Sequence, residues 1–395
     1  RVELGRTEPN LPGDNRYTRA RDFLSAWTRQ GALRRDPQPA FYLVRHAFTL
    51  DGTERARWEL LAQVRLAEWL EGVVMPHEFT LPEPKVDRLN LLEATRTNTS
   101  HIYCLYRDPD GSAAGLLERA TVAAPAFSEP AWRDASLTVW AVTDPGLVAG
   151  LRAFFSGARL YIADGHHRYE TALGYRRTRL TGTGLDGTGD EGFNFVFMAL
   201  TSMTDPGLVV KPIHRMVRGM SAAQLESLRT GLEREWNAEA IPVAHAPSAA
   251  DLHRVEERLA AGARGAPRFA LLGLAPGSAL VVTPKDPDSL RASLPDSSPA
   301  LRELDLTLLH QVLIHRYLGI GRDAAQVEGA LSFTHHASEA AESVHAGISQ
   351  LAILVNPTRV DQLIAVAEVG EKMPQKSTFF YPKLPTGLVM RPLED

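Results

Sequence analysis

Tyr161-Ile162-Ala163-Asp164-Gly165-His166-His167-Arg168-Tyr169-Glu170 joins an apolar run, Leu160 to Ala163, to a stretch of helical periodicity from Tyr169 to Arg177. The pattern predicts a strand, a tight turn and a helix start, one step of an α/β arrangement. A helix start carries roughly half a positive charge and several unpaired N–H groups, so acids usually occupy it. Here two histidines and an arginine crowd the first turn, which is unfavourable unless something negative lies opposite. The simplest partner is a phosphate or carboxylate ligand, held by the helix N-terminus and by the forked guanidinium of Arg168. Gly165 permits positive φ and close backbone approach. Asp164 can cap the helix or hold a magnesium ion beside phosphates. On a helical wheel Tyr169, Ala172 and Leu173 share one face, with His166 at its edge and His167 opposite. The two imidazoles therefore diverge and do not suit one metal. The bland alternative is a structural turn in which Asp164 caps and the histidines bond to Glu170 and nearby carbonyls.

Outward from this turn, the chain reads as a long globular protein. Its 395 residues are 44% hydrophobic, enough for two or three domains, and 43 Lys+Arg against 47 Asp+Glu leave a formal charge of -4. That balance gives no general pull towards nucleic acid. A single cysteine, Cys104, excludes an intrachain disulfide and a cysteine-built zinc site, and points to a cytoplasmic setting. No apolar run reaches the length of about 18 residues that a membrane span needs. The oligomeric state is not legible.

Periodicity predicts a helix over 14–30 capped by Asp14, and strands at Phe41–Val44 and Val64–Trp69. It predicts a proline-interrupted loop from Met75 to Lys85, a helix from Val86 to Arg96, and strands at His101–Tyr106 and Leu137–Val142. Pro145–Ser156 reads as helix, and Phe193–Leu200 and Leu208–Val210 as strands. The Gly-rich 181–192 segment lacks Gly-Lys-Ser/Thr and reads as a surface loop, not a phosphate-binding loop. From Ser221 the texture changes to helices rich in Ala, Leu, Glu and Arg (221–235, 248–262) framing strands at Phe269–Leu272 and Ala279–Val282. Residues 286–299 read as a linker, 304–318 and 337–350 as helices, Leu351–Val355 as a strand and 360–366 as a helix. The division this suggests is 1–220 and 221–395. The first region is a mixed α/β domain and the second is α+β, so the whole is α+β.

Three further constellations carry chemistry. His77-Glu78-Phe79-Thr80 is not a zinc-protease His-Glu-x-x-His, because Leu81 stands fifth. In a loop it would expose a carboxylate, an imidazole and a hydroxyl together, which suits a general base, Glu78, and its orienting partner, His77. Lys85 and Arg88 follow and can meet phosphates. Glu371-Lys-Met-Pro-Gln-Lys376-Ser377-Thr378-Phe-Phe-Tyr381-Pro-Lys383 packs lysines, hydroxyls and aromatics into one stretch able to cover a nucleotide, or to brace the core as a terminal strand. His335, His336 and Glu339 have a spacing compatible with a metal but lack an identifiable fourth ligand. His310 and His315 lie in an apolar helix and read as core histidines.

The run from Tyr161 to Leu173 resembles the signature of the bacterial and archaeal family called domain of unknown function 1015. Asn15-Arg16-Tyr17, Met75-Pro-His-Glu-Phe-Thr80, Asp87-Arg88-Leu89, Pro212-Ile-His-Arg215 and Met373 to Lys383 extend the resemblance over nearly the whole chain. That family usually opens with a Pro-Pro-Tyr-Asp-Val-Ile-like segment, which would precede Arg1 and is expected to be missing here. More distantly, Asp-Gly-His-His-Arg resembles the nucleotide-binding turn of ParB/sulfiredoxin-like proteins, including free serine kinases. That likeness implies a small-molecule phosphotransferase using ATP or ADP and Mg²⁺ on a hydroxylated acceptor such as a free amino acid. By it, Asp164 and His167 take catalytic roles, with Asp164 also a metal ligand. By the same likeness Gly165, His166 and Arg168 hold phosphates; the residues' own chemistry adds Lys85, Arg88 and Lys376 as further phosphate contacts, with Ser377 and Tyr381 against the nucleotide. The partners expected are a nucleotide and a small-molecule substrate, with no nucleic acid and no membrane. A nucleotide-binding regulator without transfer chemistry and a metal-dependent hydrolase are the alternatives.

Overall fold

The computed structural model describes residues 2, 3, 5, 11, 13–80, 82–132, 135–262, 266–294, 297–321, 327 and 329–393, the side chains at 82–84, 131 and 132 excepted. The fold is α+β, and the chain divides into two compact units. The first comprises residues 1–76, 80–209 and 382–395, and the second residues 77–79 and 210–381.

The first unit is built on a mixed sheet of eight strands: β1 (Phe41–Leu50), β2 (Thr53–Arg65), β3 (Val74–Met75), β5 (Ile102–Tyr106), β6 (Phe127–Trp132), β7 (Ala135–Val142), β8 (Leu160–Asp164) and β9 (Phe195–Ser202). Their spatial order is β3-β8-β5-β9-β2-β1-β7-β6. A short pair, β4 (Thr97–Asn98) with a terminal strand Arg391–Pro392, ties the chain's end back to this unit. The β3–β8 and β5–β9 pairs are parallel and the remaining neighbours antiparallel. In β5 all five residues are buried. β8 ends at the turn quoted above, and the helix after it, His166–Leu180, lays Tyr169, Ala172 and Leu173 into the core beside Ile102, Cys104, Ile162 and Met198. The Tyr169 hydroxyl closes that contact, accepting from the Ala67 amide at 3.0 Å and donating to the Ala67 carbonyl at 2.8 Å. The strand–turn–helix and its buried face were therefore legible in the sequence.

The second unit has a six-stranded antiparallel sheet, ordered Trp236–Pro242, Ser278–Pro284, Phe269–Ala275, Leu351–Val355, His214–Val217, Leu331–Thr334. Leu351, Ile353 and Val355 enter one hydrophobic cluster with Leu228, Leu232 and the apolar side of the π-helix Leu309–Tyr317. Ala352 and Leu354 face the opposite way, into a cluster with Leu252, Val255, Leu259, Ala340 and Ala341. Successive side chains alternate across a sheet, so the unbroken apolar run Leu351–Val355 marks a strand covered by helices on both faces.

Several local expectations needed correction. Asn15, not Asp14, caps the first helix (Arg16–Arg29): its side chain accepts from the Tyr17 and Thr18 amides, and Thr18 returns the bond. The stretch 64–69 is the end of β2 followed by a 3₁₀ turn, Trp69–Glu71. The helix expected from Val86 begins at Pro82, because prolines in a first turn cost no hydrogen bond. Residues 286–299 hold a short helix, Pro287–Ala292, and the start of another at Pro299, while 295 and 296 lie outside the described residues. Strands at Phe127–Trp132, Trp236–Pro242 and Leu331–Thr334 went unread; Trp236–Pro242 is mostly exposed, so its apolar pattern is weak. Among the described residues, no helix is long and apolar enough to cross a membrane.

Candidate functional site

In the first unit the Asp164–Arg168 turn is a charged knot. Gly165 sits at φ +102, and a Cβ there would lie 3.0–3.2 Å from the Arg168 guanidinium, so only glycine lets the arginine fold back over the turn. Arg168 Nη2 donates to Asp164 Oδ2 at 2.7 Å, while Nη1 donates to the His101 carbonyl. Lys383 Nζ donates to the other carboxylate oxygen, Oδ1, at 2.6 Å. Burial works against the charge on Asp164, but Lys383 and then Arg168 outweigh it and hold the carboxyl well below the usual carboxylate range. The negative partner that the crowded helix start required is thus, in the protein alone, Asp164 itself. Asp164 makes no cap bond to the helix; its oxygens serve cations instead. The pair of cations against one carboxylate leaves the helix start net positive, and the N-terminal amides add to it.

His166 turns to the buried side and His167 is half exposed, as the helical wheel predicted. One turn on, Glu170 accepts from Thr80 Oγ1 at 2.6 Å and from Lys85 Nζ at 2.9 Å. Burial opposes its charge and these two bonds overcome it, lowering its pKa. Lys85 is therefore matched to a carboxylate in the unliganded chain. Arg88 is matched likewise, to Glu3, and the neighbouring Asp87 accepts from Arg16 and from the Tyr17 hydroxyl. The separated motifs Asn15-Arg16-Tyr17, Asp87-Arg88-Leu89 and Asp164–Arg168 consequently belong to one unit.

In the second unit the His77-Glu78 segment meets the tail. Glu78 Oε1 accepts from the Lys376 amide at 2.8 Å, and the Met373 amide donates to the His77 carbonyl at 2.8 Å. His77 is fully buried, with Nε2 3.3 Å from Thr378 Oγ1, so it is not exposed beside Glu78. Thr80 belongs to the first unit, where its hydroxyl bonds to Glu170. The group that orients Glu78 is the Lys376 backbone, which holds φ +58, a rare conformation for a residue with a side chain. Its carbonyl accepts from Arg215 Nη2 at 3.1 Å. Arg215 is completely buried, with His310 Nε2 3.2 Å away; burial lowers it to about 9, against the pull of Glu78, and it remains charged at neutral pH.

Ser377 is buried and its hydroxyl donates to the Pro374 carbonyl, whereas the Lys376 side chain is exposed. Tyr381 lies under Lys211, whose Nζ is 4.0 Å from the ring centroid. His335 stacks on Phe379, and Glu339 accepts from Thr334. Among the described residues no three His, Cys, Asp or Glu side chains converge as a metal site would require. Asp164, with one oxygen on arginine and the other on lysine, does not fit a magnesium ligand in this arrangement. Lys383 is one of the tail motif's lysines, but its pairing with Asp164 is not legible from the motif. It closes the tail motif after Pro382, whose carbonyl accepts from the buried Arg57 at 2.7 Å, and that anchoring is invisible in the sequence.

The family described as "Protein of unknown function (DUF1015)" matches residues 1–307. The chain belongs to this family. No curated protein matches it in sequence. Solved structures similar to it include a conserved hypothetical protein from Pyrococcus furiosus, 14% identical, with a TM-score of 0.38 over 82% of this chain and 93% of that one. A mutant free serine kinase in complex with ADP is 14% identical, with a TM-score of 0.39 over 81% and 87%. SbnI with a C-terminal truncation, from Staphylococcus aureus, is 12% identical, with a TM-score of 0.39 over 84% and 87%.

Proposed function

We propose that this DUF1015 member is a small-molecule phosphotransferase whose phosphate-binding end is the Asp164–Arg168 turn. The observation that carries the reading is the convergence of Arg168 and Lys383 on one carboxylate at a helix start. An incoming phosphate would meet two cations and the helix N-terminal amides, and phosphoryl transfer asks mainly for such positioning and charge stabilisation. The donor is a nucleotide, ATP or ADP. His167, partly exposed on the first turn, is the further group proposed at the phosphates. The acceptor hydroxyl would lose its proton to a general base as that oxygen bonds to the terminal phosphorus and the bond to the nucleotide's bridging oxygen breaks. Mg²⁺, where it is needed, would accompany the nucleotide's phosphates.

The test is a thermal-shift panel of ATP, ADP, AMP and GTP, each with and without Mg²⁺, on the wild type, Arg168→Ala and Lys383→Ala, with product assayed on a panel of hydroxylated acceptors. A nucleotide at a hundred times its Kd stabilises the fold by about 2.7 kcal/mol. The expected result is a shift that Arg168→Ala and Lys383→Ala abolish, together with a phosphorylated product formed by the wild type and lost in both variants. Binding without any phosphorylated product from a panel of hydroxylated acceptors would make the protein a nucleotide-responsive regulator. Silence from every nucleotide would end the phosphotransferase reading.

A further inference from the structure

A shallow, open cleft lies within the first unit and shares Arg168 with the turn. Its floor is apolar, formed by Leu91, Leu92, Ile102 and Val196. Its polar groups stand at two places. At one, the carboxylate of Glu3 is gripped from both sides: Thr99 Oγ1 donates to Oε1 and Arg88 Nη1 donates to Oε2. Thr99 is 5% exposed, so this hydroxyl is fixed by packing rather than free to choose a partner. At the other, Thr171 presents a hydroxyl that is buried and has no hydrogen-bond partner among the described residues. A buried hydroxyl left unpaired costs about 1–3 kcal/mol, so its position on a cleft wall asks for an explanation.

We propose that this cleft is a binding site for a small carboxylic acid, and that Glu3 is its internal stand-in. An arginine nitrogen and a threonine hydroxyl, one on each oxygen, are what a ligand carboxylate would be given. The cleft sets an apolar floor beside a few polar groups, as sites for small molecules do. Glu3 satisfies the carboxylate end alone, whereas a ligand carrying a second polar group a few bonds away would also serve Thr171. Arg168 also lines the cleft and adds a second cation to it. As a carboxylate site the cleft stands on its own geometry; as the acceptor's site it rests on the phosphotransferase reading and names the acceptor's class as a hydroxy or amino acid.

Isothermal titration without nucleotide tests the site. The probes are acetate, L-lactate and L-serine, with glycerol and ethanolamine as carboxylate-free controls, on the wild type, Glu3→Ala, Arg88→Ala and Thr171→Val. A tethered competitor acts at an effective concentration in the millimolar range, so Glu3→Ala is expected to tighten the carboxylates by about tenfold. Arg88→Ala should remove binding of all three, and Thr171→Val should weaken lactate and serine while leaving acetate unchanged. The controls should stay silent. Absence of carboxylate binding to Glu3→Ala protein that retains the native unfolding transition overturns the proposal. So does carboxylate binding that neither Glu3→Ala nor Arg88→Ala alters. Because no nucleotide is present, failure here leaves the phosphate site at the turn untouched, and failure of the nucleotide panel leaves the cleft untouched.

Discussion

Lys376 and Gly165 show how single residues set the geometry of the two clusters. Both adopt positive φ, at +58 and +102, but only one is a glycine. A side chain in the left-handed region costs about 1–2 kcal/mol, and the strain at Lys376 persists because its amide and carbonyl are both claimed, by Glu78 and Arg215. Lys376→Gly relieves the strain while loosening the unfolded chain, so its stability should match the wild type or exceed it by up to about 1 kcal/mol. Gly165→Ala adds the strain and pushes on the Arg168 guanidinium, and should lose about 1–2 kcal/mol together with any nucleotide-induced shift. Urea unfolding of the two variants side by side checks both signs. A stabilised Gly165→Ala protein would show that the turn does not need its present shape.

At the scale of the element, β2 carries an unusual load for a central strand. Arg57 and Glu59, two residues apart and so on one face, are both buried, with Arg57 Nε 3.0 Å from Glu59 Oε1. Their neighbour His46 on β1 has Nδ1 3.7 Å from Glu59 Oε2. Burial opposes the charge on Glu59, but Arg57 prevails and its pKa is lowered. Such a pair adds little net stability, whereas removing one partner strands the other. Glu59→Leu should therefore cost about 3–5 kcal/mol by denaturant unfolding, and adding Arg57→Met should recover a large part of it. A double variant no more stable than the single one would argue that Arg57 is held by its bond to the Pro382 carbonyl more than by Glu59. The helix that follows β8 behaves conventionally: its apolar stripe was readable because the 3.6-residue period survives the polar residues around it.

Across the whole molecule, acid sensitivity follows from histidines kept neutral. Burial, then the Arg168 charge, lowers His101 to about 4; burial, then Arg215, lowers His214 to about 4; burial pushes His310 well below the ordinary range. In the unfolded chain each titrates near 6.5, about its ordinary value. Between those limits the unfolded chain binds protons that the folded chain refuses, so stability is full above about pH 6.5 and falls as the pH drops towards 4. Urea midpoints at pH 7.5, 6 and 5 should decrease in that order. A midpoint that stays constant from 7.5 to 5 would mean that these imidazoles take up protons without unfolding.

Whatever depends on near neighbours could be read from the order of residues. The α+β class, most strands and helices, the tight turn at Gly165 and the buried stripe of Tyr169, Ala172 and Leu173 all follow from periodicity, φ requirements and capping chemistry. The family was legible too, since its motifs run through most of the chain. Which distant residues face one another emerged only on folding. Lys383 reaches Asp164 across more than two hundred residues, Lys376 orients Glu78 across nearly three hundred, and Glu3 settles on Arg88 and Thr99. His77 and Thr80, three positions apart, go to different units. The physical reason is that period and propensity act over a few residues, while a charge or hydrogen-bond donor takes whichever partner the packed core brings within about 3 Å, at any distance along the chain.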